Sequence, residues 1–453
     1  MAETLQVGIA RAEITPPIGI PMIGFAGRGP SNRVHQPLYA TALVVDCPVV
    51  PGLNPGTTTK SQHNQQAVLI YADLLGLKAE TVKEFRQAIE STTGIQQDRV
   101  TLACTHNHYG PDVDRTEKSA LVTAYREHLK FQFAGIVQEA SQNLVPVHRL
   151  GVGWGSSDIG INRREKRPDG NIVLGQNPDG PVDGQVGVVR LENTEGAPIA
   201  CLVNFACHPV SQSGRMQALS ADFPGSMRQV VEDLTGVPCL FLQGACGNIN
   251  PIRMENDYEP ARSLGTRLGC EVVKVWETIE TQEITHPLLK VVSKTVSLPR
   301  YMYGTLPEAE QLAEDLRAQI DRMKAEGRSS GSLWWGELRL KRVNEAIESW
   351  KTGEALPEIQ AELQAWRLAH LALVTAPAEI FTENGELVKR NSPFEDTFFV
   401  GYTNGSIGYV PTREAYPEGG YEVTHACQVD PDAGEIVNAG CLELLQELRE
   451  IAT

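Results

Sequence analysis

The chain has too little positive charge to hold nucleic acid. Its 40 Lys and Arg face 56 Asp and Glu, a formal net charge of −16. Phosphate contacts need a basic face, so nucleic-acid partners are not expected, and acidic membranes are poor partners for the same reason. No run of about twenty apolar residues occurs, so no transmembrane helix is expected. The opening Met1-Ala2-Glu3-Thr4-Leu5-Gln6-Val7 has neither the basic nor the apolar part of a signal peptide, and a cytoplasmic location is the expectation. Nine cysteines, an odd number with no Cys-x-x-Cys among them, speak against a disulfide framework. Cys104, Cys201, Cys207 and Cys239 sit in apolar runs and read as reduced, buried thiols. Internal repeats and low-complexity tracts are also missing.

What is present is a globular composition, 41% apolar and 21% charged, spread over 453 residues, enough for a large core. Length alone allows two or three domains, or one catalytic domain with insertions. Strand-like runs at 42–45, 67–71 and 100–104 alternate with helical patterns at 78–93 and 119–143. The middle third repeats this. The runs 186–191 and 199–205 read as a hairpin turning at Glu195-Gly196, and 237–242 as a buried strand. Helices are predicted at 226–234 and 262–281. Such alternation predicts an α/β layered fold. Pro48 to Gln66 reads as a polar loop insertion. From Leu306 to Leu371, Glu, Lys, Arg, Ala and Leu dominate, with a break at Glu326 to Gly331; this predicts two or more helices packed as a hairpin. Trp334 and Trp335 follow the break. They read as packing anchors or as the lining of an apolar substrate entrance.

The most informative segment is Thr105-His106-Asn107-His108-Tyr109-Gly110-Pro111, which follows the apolar run Val100 to Cys104. Extended backbone through the motif would point His106 and His108 the same way, and Gly110-Pro111 would then turn the chain. Two histidines at a strand end can begin a metal site, or be surface or turn residues. His208 follows another strand, in Ala206-Cys207-His208-Pro209. Glu379 follows a third, in Ala376-Pro377-Ala378-Glu379. Phe399 to Gly405 reads as a strand ending in a turn, with Tyr409 shortly beyond. Each alone has a bland reading: a structural His, a helix-start Glu. Together they gather where α/β proteins place functional groups, at the carboxyl ends of strands. Two imidazoles, a carboxylate and one oxygen ligand make a zinc set with room for water.

These blocks, in this order, resemble the neutral/alkaline ceramidase family, zinc-dependent amidohydrolases that cleave the N-acyl bond of ceramide. The resemblance runs through Val7 to Thr15 with Gly24-Phe25, Val34 to Ala40, Tyr71 to Leu74 and Thr105 to Pro111. It continues through Ile161-Asn162-Arg163, Phe205 to Pro209, Leu219 to Gly225 and Gln243 to Pro251, and closes with Ala376 to Phe381 and Tyr402 to Tyr421. It implies His106, His208, Glu379 and Tyr409 as zinc ligands. It implies His108 beside the metal as an oxyanion or proton-transfer partner, and Arg163 and Tyr421 near the substrate carbonyl. Asp73 and Asp222 would orient histidines, although Asp73 reads equally as a strand-end cap. Without the resemblance, the charged run Arg163-Arg164-Glu165-Lys166-Arg167 reads as a solvated loop.

Two departures stand out. The family's Gly-Asp-Val-Ser-Pro block is here Gly247-Asn248-Ile249-Asn250-Pro251. Asn250 cannot form an acyl-enzyme in the usual way, but it can donate a hydrogen bond to an oxyanion. A direct attack by zinc-activated water survives this change. The family's C-terminal immunoglobulin-like domain is also not expected, and a helical segment stands before Glu379. The sequence thus predicts an α/β mixed-sheet metallohydrolase core, with residues 1–300 and 372–453 as its two parts and 301–371 as a helical insertion. The expected function is zinc-dependent hydrolysis of an amide in a small-molecule substrate, a lipid amide in the first instance. Hydrolysis of an ester, lactone or glycosidic bond, and a non-catalytic binding role, stay open.

Overall fold

The computed structural model describes residues 4–47, 66–114, 119–327 and 330–450. The polar stretch from Pro48 lies outside these residues up to Gln66, which begins a strand, as do Arg328 and Ser329 of the break between the helices.

Among the described residues, three larger sheets build the α/β fold, with three smaller ones of two or three strands beside them. The first has five strands in the spatial order Val100–Cys104, Gln66–Ala72, Tyr39–Asp46, Gln6–Glu13, Val145–Pro146. The second is ordered Cys239–Gln243, Pro198–Phe205, Gln185–Glu192, Arg149–Ser156, Gln282–Glu283. The third is ordered Leu289–Leu298, Ile359–Leu368, Leu371–Thr375, Asp396–Val400. Each of these three contains one parallel pair: Gln66–Ala72 with Val100–Cys104, Pro198–Phe205 with Cys239–Gln243, and Leu371–Thr375 with Asp396–Val400. Val100–Cys104, Cys239–Gln243 and Leu371–Thr375 are buried at every position. They therefore read in the sequence as unbroken apolar runs and not as alternating patterns. The expected hairpin is present, with Val188 opposite Val203 and Gly196 at φ 79° in its turn.

Helices cover the sheets. Ala79–Thr93 ends at Gly94, which takes the left-handed conformation at φ 78°. Ala120–Gln142 lies against the first sheet. Asp222–Thr235 and Glu259–Thr278 pair beside the second, where Gly265 lets the backbones approach: a Cβ there would stand 2.5 Å from the Phe223 carbonyl oxygen. Ala433–Glu450 packs on the third sheet, with Gly440 against Leu363 and Val296.

The expected helical stretch is corrected at its C-terminal end. Leu306–Ala325 and Ser330–Thr352 are helices, the first opened by a capping box of Thr305 and Glu308. Ile359–Leu368 is instead a strand, paired along its whole length with Leu289–Leu298. Its buried Ala361, Leu363, Ala365 and Leu368 supply the core, and this tertiary pairing overrides the helix-favouring composition around it. The two helices thus leave and return between neighbouring antiparallel strands. Among the described residues no helix is long and apolar enough to cross a membrane.

Candidate metal centre

The carboxyl ends of the three parallel pairs meet. Ala103 bridges to Thr403, Cys104 N donates to the Tyr402 carbonyl at 3.1 Å, and Gly401 N donates to the Gln243 carbonyl at 2.9 Å. Gln243 ties two of the strand ends together. Its amide donates to the carbonyls of Thr105 and Cys207 at 3.0 and 2.9 Å and accepts from Cys207 N at 3.2 Å.

The strand ends at Cys104, so extended backbone does not run through the motif. His106 has φ 62°, a left-handed conformation that costs a non-glycine residue about 1–2 kcal/mol. Asn107 holds the turn. Its Nδ2 donates to the Asp73 carbonyl at 3.2 Å and its Oδ1 accepts from Tyr109 N at 2.9 Å. His106 and His108 do face the same centre, but through this turn and not through strand alternation. Their Nε2 atoms lie 3.2 Å apart. Gly24 is required beside them: at φ 104° it brings its backbone so near His108 that a Cβ would fall 2.9 Å from the His108 Cα.

Each histidine presents Nε2 inward because its Nδ1 is taken by a main-chain carbonyl. His106 Nδ1 meets Leu75 O at 2.9 Å, His108 Nδ1 meets Gly24 O at 3.1 Å, and His208 Nδ1 meets Cys246 O at 2.6 Å. Carbonyls only accept, so Nδ1 of each ring carries a proton and Nε2 is the ring atom left to face the centre. The ligand atoms of His106, His108 and His208 all lie within 4.8 Å of one another, a group that could hold a metal ion. Glu379 Oε2 is 3.2 Å from Nε2 of both His106 and His208. Donors about 2.0–2.2 Å from a tetrahedral zinc stand about 3.3–3.5 Å apart, so this spacing fits one ion.

Asp73 and Asp222 do not orient histidines. Asp73 accepts from Tyr39 N and makes a two-point contact with Arg228, at 2.8 and 3.2 Å. Asp222 accepts from Ser211 and from Phe223 N. Both are fully buried structural carboxylates, and main-chain carbonyls do the orienting in their place.

Glu379 and Tyr409 are register partners in a short parallel pair, Glu379–Ile380 with Tyr409–Val410. Arg163 reaches across to them from the strand Gly160–Lys166. Its Nη2 donates to the Tyr409 hydroxyl at 2.8 Å and its Nη1 lies 3.2 Å from Asn250 Oδ1 and 3.3 Å from His208 Nε2. A guanidinium has no acceptor, so the Asn250 oxygen must face it and the amide NH2 turns the other way. The solvated-loop reading of this charged run is corrected. Arg163 and Arg164 are 4% and 6% exposed, because Glu422, itself 0% exposed, accepts from both. Tyr421 adjoins through its ring, 5.9 Å from that of Tyr409.

The electrostatics follow from burial among these partners. Burial, then the charge of Arg163, pushes His208 down to about 4. Burial and the two other imidazoles hold His108 well below the usual histidine range. Burial alone would raise the Glu379 carboxyl, but His106 and His208 hold it well below the ordinary carboxylate range. At neutral pH His108 and His208 are therefore neutral and Glu379 is anionic, the protonation states a cation requires of them.

Tyr402, Gln243 and Glu422 were not assigned from sequence. Tyr402 stacks on His106 with ring centroids 4.0 Å apart and bonds Cys246 Sγ at 3.0 Å. Its signal was its place at the end of the strand Asp396–Val400. Glu422 carried none, since a Glu after Gly-Gly-Tyr reads as solvated. A cavity of about 400 Å³ lined in part by Pro299, Met302, Trp350 and Leu356 contains no residue of this centre.

Two solved structures match over 99% of this chain. One is the neutral ceramidase from Pseudomonas aeruginosa, with a TM-score of 0.71, 19% identity and 75% of that chain covered. This chain shares the neutral ceramidase fold. The other is a ceramidase complexed with C2, with a TM-score of 0.72, 18% identity and 76% of that chain covered. No family model matches the sequence. Within the neutral ceramidase fold, the three histidines and Glu379 lie where parallel strands end, the usual location of sites in open α/β sheets.

Proposed function

We propose that this chain is a zinc-dependent amidohydrolase of the neutral ceramidase type, which cleaves the N-acyl bond of a lipid amide with water. One observation carries the reading. Glu379 Oε2 stands 3.2 Å from Nε2 of both His106 and His208, and the Nδ1 of each of these rings faces a main-chain carbonyl. Nitrogen and carboxylate donors converging at this spacing suit a single cation among them.

His106, His208, Glu379 and Tyr409 would hold the ion. Zinc in such a set supplies a nucleophile from water at neutral pH and polarises a carbonyl. The protein's own groups do the rest. Neutral His108 can accept the proton that water loses and deliver it to the departing amine. Arg163 and Tyr421 donate to the carbonyl oxygen as charge develops, with the Asn250 NH2 as a further donor. The products are a carboxylic acid and an amine. No side chain need become acylated, which suits Asn250 where the resembling family has Ser.

The test is hydrolysis of a short-chain N-acylsphingosine by zinc-loaded protein, with His106→Ala as the control. Turnover that vanishes in the variant together with bound zinc is expected. Full zinc content and full activity in His106→Ala would refute the ligand assignment. Bound zinc without turnover in the wild type would refute this substrate.

A further inference from the structure

We propose that Trp335, with Trp334 outside it, forms the wall along which the substrate's apolar chain lies, so that this pair selects for long-chain N-acyl amides. The inference rests on the amidohydrolase reading and adds the part of the site that reads the chain.

A chain of aromatic contacts runs from solvent to the centre. The Trp334 side chain is 42% exposed and its ring lies 4.6 Å from that of Trp335. Trp335 meets Tyr421 edge to face at 5.8 Å, and Tyr421 meets Tyr409 in the same manner at 5.9 Å. The Tyr409 hydroxyl is the atom that Arg163 grips. The same helical turn also touches the segment beside His108. Gly331 packs so closely on the Ala26-Gly27 backbone that a Cβ would lie 2.4 Å from the Ala26 carbonyl carbon. Phe25, next in the chain, sets its ring 5.3 Å from that of His108. The first turns of Ser330–Thr352 therefore span from the His108 side of the centre to the Tyr421 side.

Trp335 stands apart from the apolar cluster of the helix pair. That pair has its own apolar cluster, including Ala309, Ala313, Leu316, Val343 and Ile347, and neither tryptophan joins it. Trp335 instead packs against the core that contains Tyr409. Aromatic faces and edges of this kind hold a saturated chain by apolar contact, and leave orientation to the polar groups at the centre.

Two measurements test this. Dibromostearic acid, whose bromines quench tryptophan on contact and which cannot be hydrolysed, is titrated into the zinc-loaded protein. Quenching is expected in the wild type and is expected to be mostly lost in the double variant Trp334→Phe/Trp335→Phe at unchanged zinc content. No quenching in the wild type, or equal quenching in both, overturns the proposal. The second measurement compares a long-chain with a short-chain N-acylsphingosine. Trp335→Ala is expected to lower kcat/KM for the long chain about tenfold more than for the short one, through KM. Equal losses on both would mark Trp335 as a packing anchor only and overturn the assignment. If neither amide is turned over by the wild type, the hydrolase reading fails, and the quenching result alone decides the chain-binding wall.

Discussion

Arg163 Nε and Glu422 Oε1 meet at 2.7 Å, with side chains 5% and 1% exposed. The same carboxylate holds Arg164 through its other oxygen at 3.0 Å. One buried anion thus bridges two buried cations, and Glu418 supplies Arg164 with a second carboxylate at 3.1 Å. It also leaves the two Nη atoms of Arg163 aimed at Tyr409, Asn250 and His208.

Removing that charge at constant shape should be costly twice over. Glu422→Gln is expected to destabilise the fold by about 3–5 kcal/mol, because Arg163 stays buried without its carboxylate and Arg164 keeps only Glu418. Denaturant unfolding measures this. Activity on the N-acyl amide should fall by about a hundredfold as Arg163 loses its aim. Retained stability and retained kcat together would show that the pair is idle.

The pH dependence has a definite sign. Burial alone would raise Glu422, but the charge and hydrogen bond of Arg163 hold it below its ordinary 4.5. A carboxylate lowered in the folded state stabilises above its unfolded value and loses that contribution as pH falls through the folded value. The stability gap between wild type and Glu422→Gln should therefore be constant at neutral pH and should close below about pH 4.5. A gap that widens on acidification would contradict the assignment. Melting temperatures across pH read this directly.

Gln243 is a positioning residue for two of the histidine turns. Gln243→Leu abolishes its bonds to Thr105 and Cys207 and strands their main-chain groups in the core. An expected loss of about 2–4 kcal/mol follows from leaving such groups unpaired. Zinc affinity should fall with it, measured by competition with a chelator. A purely structural role would lower stability and leave the affinity of the folded protein unchanged.

Zinc should bind the folded chain and stabilise it. At about a hundred times its dissociation constant, the gain is about 2.7 kcal/mol, reversed by chelation. His208→Ala should erase the gain without erasing the fold. Calorimetry with and without zinc decides the matter, and an equal gain in wild type and variant would place the ion elsewhere.

The strand-end histidines and Glu379 were legible because each follows a strand that ends in a buried, mostly apolar run, visible in one dimension. The hairpin turning at Gly196 was legible for the same reason. The strand Ile359–Leu368 was not, since its partner lies sixty residues back and its alternating Glu and Gln suit a helix surface equally well. The burial of Arg163 and Arg164 was hidden because their counter-charge is supplied from residue 422. Orientation of the histidines by Leu75, Gly24 and Cys246 could not be read at all, because the groups involved are main-chain carbonyls that every residue carries.

The helix pair departs after Leu298 and returns before Ile359, and these two residues stand opposite each other in adjacent strands. Strands so paired are about 5 Å apart, a gap that a two-residue turn can close. The whole excursion is therefore detachable in principle, since the sheet's register owes nothing to it. Because loop closure grows only slowly with length, chains of very different size can be exchanged at this junction at small cost. Chain selection and bond cleavage then sit on separately heritable pieces of one polypeptide. A descendant of this protein can change its diet by replacing one excursion while the histidines stay where they are.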